Sequence, residues 1–128
     1  MSARCTRSLV TLTSLLALGL TSLAAQAQTL RVRCDVFHDR SRASVDGSDL
    51  AAGQYSAMLT SGPNTAQSPQ EAAVAGEVQF DFDSNKKDVR QGATKIGKHF
   101  IVDGSATGTL LDADGNVVAT KTRNCKMH

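Results

Sequence analysis

Apolar and polar side chains take turns along TLRVRCDVF and again along EVQFDFD. In the first stretch Leu30, Val32, Cys34 and Val36 fall on one side, with Arg31, Arg33 and Asp35 on the other. In the second, Val78, Phe80 and Phe82 oppose Glu77, Gln79, Asp81 and Asp83. A strand with one buried face requires this period of two, whereas a helix scatters the same pattern around its axis. QYSAMLTSG repeats it, with Tyr55, Ala57 and Leu59 together against Gln54, Ser56, Met58 and Thr60. A shorter strand is expected around Ala43 and Val45, closed by Asp46-Gly47, and another at HFIV. GTLLDADGNVVAT reads as a hairpin turning at Asp114-Gly115, a strong local turn signal.

No helical periodicity follows residue 28, and Asn85 to Lys98 reads as irregular and polar apart from Ile96. Ser61 to Ala72, SGPNTAQSPQEA, holds both prolines of the chain and is expected to be an exposed loop. Short alternating strands punctuated by Gly, Asn, Asp and Pro predict an all-β fold, a small antiparallel β-sandwich of about seven strands. A small closed β-barrel is the alternative. Two phrases, LAAGQYSAML and GTLLDADGNVVAT, are similar to strand-and-turn phrases of bacterial immunoglobulin-like and transthyretin-like sandwiches. In carboxypeptidase-regulatory-like domains the D-x-x-G hairpin precedes the G-x-Y strand, and here the order is reversed. The resemblance therefore implies strand chemistry and assigns no family.

The alternation begins only after a different kind of segment. MSARCTRSLVTLTSLLALGLTSLAAQAQ has a basic front at Arg4 and Arg7, an apolar run from Leu9 to Ala25, and the small-x-small triplet Ala25-Gln26-Ala27. Those are the parts of a secretory signal. The expectation is cleavage between Ala27 and Gln28, leaving residues 28–128 as a single domain, periplasmic or extracellular, with no membrane attachment. The run is diluted by hydroxyl side chains and is shorter than the ~20 apolar residues that a spanning helix needs.

Removing the leader changes the charge. Of 14 Lys+Arg and 12 Asp+Glu, the loss of Arg4 and Arg7 leaves 12 against 12. A neutral domain offers no electrostatic case for nucleic acid or an anionic membrane, and the run of Arg31, Arg33, Arg40 and Arg42 reads as a solvated face. The cysteine count changes as well. Cys5 leaves with the leader, and Cys34 and Cys125 remain near the two ends. An even pair in an oxidising compartment predicts a disulfide; two buried thiols or a thiolate metal site are the competing readings. With no Trp, one Tyr and four Phe, a core of this size needs such a staple.

The motifs with possible chemistry have plainer explanations. Asp81, Asp83 and Asn85 have the D-x-D-x-N spacing of a calcium loop, but its sixth and twelfth positions hold Lys86 and Gly92, where Gly and a bidentate Glu are required. FDFDSN is therefore expected to be a strand ending in a turn, with the aspartates outward. Asp112, Asp114 and Asn116 repeat the spacing in a hairpin turn that needs no metal. His38, His99 and His128 lack paired spacing; with Met58 and Met127 they make a periplasmic metal-binding protein the alternative function. The chain has no G-x-S-x-G, H-E-x-x-H, C-x-x-C or phosphate-binding loop. No cofactor is implied. The expected function is non-catalytic: binding of an unknown protein or small-molecule ligand, or structural association. The expected contact is the loop bearing Asn64, Thr65, Gln67, Ser68 and Gln70, which prolines stiffen.

Overall fold

The computed structural model describes residues 28–128. The expected leader, with the Ala27 side of its cleavage site, lies outside these residues. Strands β1 (Thr29–Phe37), β2 (Arg40–Ser48), β3 (Gln54–Ser61), β4 (Asn64–Gln67), β5 (Glu71–Ala72) and β6 (Val78–Asp83) come first. Helix α1 (Lys86–Arg90) and strands β7 (Thr94–Lys95), β8 (Ser105–Asp112), β9 (Val117–Asn124) and β10 (Lys126–Met127) follow. Seven of the strands have four residues or more. They form two sheets, β10-β1-β2-β6-β7 and β4-β3-β8-β9, with β5 also paired to β3. The long pairings are antiparallel, and only the two-residue strands β10 and β7 pair in parallel. The sheets stack face to face without closing, so the molecule is a β-sandwich and not the alternative barrel.

The alternation fixes the inner faces. Leu30, Val32, Cys34, Ala43, Val45, Phe80 and Phe82 of the first sheet meet Tyr55, Ala57, Leu59, Ala106 and Leu110 of the second. β2 is longer than expected, because Gly47 continues the strand instead of ending it. A Cβ there would lie 2.9 Å from Leu110 and 3.0 Å from Leu50, so the missing side chain admits its neighbours. Gly108 does the same for Val32, at 2.7 Å, and Val45, at 2.8 Å.

HFIV is not a strand. Phe100 and Ile101 are adjacent and both buried, which breaks the alternation, and they cap one end of the core. Side chains take up the polar backbone there: Ser41 Oγ donates to Lys98 O at 2.7 Å, Asn64 Nδ2 donates to Phe100 O at 2.7 Å, and Val102 N donates to Ser61 Oγ at 2.7 Å.

Cys34 and Cys125 form a disulfide with a Cα–Cα distance of 4.7 Å. Cys125 sits where the chain leaves β9 in the second sheet and enters β10 in the first, so the bond ties the sheets where the chain crosses between them.

Candidate functional site

The segment from Ser61 to Ala72 is not the loop that its prolines suggested. β4 is hairpin-paired to β3 through Gly62-Pro63, with Gly62 at φ 53, as a two-residue hairpin turn with Gly first requires. Pro69 falls in the gap between β4 and β5, where its missing N–H costs no ladder bond. Three of the five candidate binding residues are engaged within the fold. Asn64 holds Phe100, Gln70 Nε2 donates to Ala113 O at 3.2 Å, and buried Ser68 accepts from Ala57 N through Oγ at 2.9 Å. Thr65 and Gln67 are exposed at the sheet edge.

Charge gathers instead on the outer face of the first sheet. Cross-strand register places Asp46 between Arg31 and Gln79, Ser44 between Arg33 and Asp81, and Arg42 between Asp35 and Asp83. A groove of about 390 Å³ runs over this face, lined by Arg33, Arg42, Ser44, Asp81 and the Arg40–Asp83 pair. Asp83 was expected outward and exposed. It does point to the outer side, but only 5% of its surface is exposed. Arg40 grips it with two bonds, Nε to Oδ1 at 2.9 Å and Nη2 to Oδ2 at 2.5 Å, and also reaches Asp88 of α1 at 3.0 Å. Burial alone would raise the Asp83 pKa; the Arg40 bonds and the N–H of Asn85 outweigh it and hold the carboxyl below its ordinary range. Asn85 does not form a simple turn: its side chain accepts from Lys87 N at 2.9 Å and caps α1.

Asp35 is the second organised acid. It accepts from His128 Nε2 at 2.7 Å and from Arg42 Nε at 3.1 Å. Burial pushes its pKa up, and these two partners bring it below the usual value. His128 also stacks on Phe37, with ring centroids 4.3 Å apart, and the guanidiniums of Arg40 and Arg42 lie over the same ring at 5.9 and 5.4 Å. Asp46 differs. Burial raises its pKa, and its Oδ1 is buried without a hydrogen-bond partner.

The other candidates do not converge. His38 bonds Asp39, next in sequence, and no three His, Cys, Asp or Glu side chains meet in a metal-binding group among the described residues. Asp112 Oδ1 accepts from the N–H groups of Asp114 and Asn116 at 3.0 and 2.9 Å, so it folds the β8–β9 turn. Sequence reading missed the Arg40–Asp83 and Asp35–His128 pairs, whose members lie 43 and 93 positions apart. The available signal was the alternation, which puts Arg33, Asp35, Asp81 and Asp83 on outward positions.

Fold and site together define a disulfide-bonded two-sheet β-sandwich with one charge-patterned outer face. The chain matches no protein-family model, no curated protein and no solved structure. No helix among the described residues is long and apolar enough to cross a membrane.

Proposed function

We propose that this is a small exported binding protein, non-catalytic, which works in the periplasm or outside the cell and meets its partner on the outer face of the first sheet. Export is supported by the signal-like leader and by a disulfide suited to an oxidising compartment. The observation that carries the binding reading is the groove between Arg33 and Asp81. They stand on β1 and β6, two strand spacings or about 10 Å apart, and neither has an ion-pair partner among the described residues. Between and beside them, Arg42 and Arg40 are held in place by Asp35 and Asp83. The result is a rigid floor with one free charge of each sign, suited to a partner carrying both.

The acids of this floor suit recognition better than catalysis. Against the upward push of burial, His128 and Arg42 hold the Asp35 pKa below its ordinary value and Arg40 does so for Asp83, whereas a general acid or base works best with a pKa near the working pH. The test is retrieval of partners from the host's exported fraction by the purified protein, beside the double variant R33E/D81R. Both side chains are at the surface, so the variant should melt as the wild type does. A species retained by the wild type and lost by the variant supports the reading. Equal retention by both, or none by either, refutes it.

A further inference from the structure

The four lateral edges of the two sheets are unlike one another. On the first sheet the two-residue strands β10 and β7 cover β1 at Asp35 and Val36 and β6 at Phe82 and Asp83. One edge of the second sheet is broken into β4 and β5 around Ser68 and Pro69. The fourth, β9, runs eight residues, from Val117 to Asn124, with a bulge at Val118, and pairs with β8 alone. A long edge of unpaired N–H and C=O groups is a template for another strand, and proteins ordinarily shorten, break or cover it. Among the described residues, β9 is the one edge strand of more than four residues that no strand covers over any part of its outer side, and it stays regular from Ala119 to Asn124.

Its charge is one-sided. β9 carries Lys121 and Arg123 and no acid, and Lys126 follows on β10. β1, with Arg31 and Arg33, lies beside it: Cys34 is bonded to Cys125, and Gly108, which pairs with Lys121, packs against Val32. None of these five cations is paired with a carboxylate among the described residues. Residues 28–128 carry equal numbers of acidic and basic side chains, twelve of each once Arg4 and Arg7 are set aside. The basic edge is thus a local concentration of charge created by folding.

We infer that β9 accepts an extended acidic segment of a partner protein as an added strand. Main-chain bonds to the open edge would supply the affinity, and acids facing Lys121 and Arg123 the selectivity. A second copy of this chain fits worse, because antiparallel pairing of two β9 strands brings their Lys121 and Arg123 side chains together, and facing like charges are unfavourable. The same cations that repel a copy admit an acidic strand. The inference stands on the β9 edge and on Lys121, Arg123 and Lys126, which do not line the groove.

The probe is a synthetic peptide alternating Glu and Val over eight residues, titrated into the isotope-labelled, disulfide-bonded protein from an exporting host. Saturable amide shifts along Val117 to Asn124, with slowed hydrogen exchange there, are expected. Methylating alternate peptide nitrogens on the pairing side should weaken binding about tenfold or more, since charge is kept and donors are lost. The variant K121E/R123E should lose the Glu peptide and gain one with Lys in place of Glu. The inference is overturned by no saturable shift, by equal binding of the methylated peptide, by shifts centred on Ser44 and Asp81, or by β9-mediated dimerisation without peptide.

Discussion

Asp83 and Asp46 show how neighbouring carboxylates on one sheet face come to oppose each other in their effect on stability. The folded pKa of Asp83 lies below its unfolded value because Arg40 and Asn85 offset its burial, and the same holds for Asp35 through His128 and Arg42. Their stabilisation is present above the unfolded carboxylate value of about 3.9 and is lost as pH falls through the depressed folded values. Arg40→Ala leaves Asp83 buried without its partner. A loss of about 2–4 kcal/mol at pH 7 is expected, shrinking as acid protonates Asp83; urea melts at pH 7 and pH 3 measure it. Asp46 runs the other way. Burial raises its folded pKa, so its penalty is present at neutral pH and fades as pH falls through that pKa toward 3.9 or so. Asp46→Asn should therefore raise Tm at pH 7 by roughly 1–4 °C and have little effect near pH 3. Equal effects at both pH values would contradict the assignment.

At the scale of elements, tight contact between the sheets depends on two glycines inside strands. Gly108→Ala would drive a methyl to within 2.7 Å of Val32, and forcing an extra carbon into a packed core costs about 1–3 kcal/mol. Calorimetry should show a matching fall in Tm; an unchanged Tm would mean that the sheets move apart without cost. One of the two marks where sequence reading stopped. β1, β3, β6 and the β8–β9 hairpin were legible because one face of each is buried and the period of two survives. Gly47 looked like a strand end because its role, admitting Leu110 and Leu50, depends on residues distant in sequence. Pro63 and Pro69 looked like loop residues, but proline is excluded only from the ladder interior: Pro63 sits in the β3–β4 turn and Pro69 in the gap between β4 and β5. The outer-face charges were visible as alternating positions, but their pairing was not: it depends on the order β1-β2-β6, which no local pattern encodes.

For the molecule as a whole, the disulfide braces a small core, and the charged face is the surface on which binding is proposed. Cys34 and Cys125 are 91 positions apart, and closing so long a loop restricts the unfolded chain by about 4–5 kcal/mol. Reduction should lower Tm by roughly 15 °C or more, and alkylation of the native, unreduced protein should label neither cysteine. Labelling of both would remove the staple. The account's central claim, that the protein acts by binding through the outer face of the first sheet, is tested most directly by photo-crosslinking in the exporting host. A benzophenone side chain is placed at Ser44, on the groove floor, and in a second strain at Thr107, which pairs with Thr122 on the outer face of the opposite sheet. The account predicts a discrete crosslinked adduct from position 44 and none from position 107. No adduct from position 44, or an adduct from position 107 alone, would contradict it.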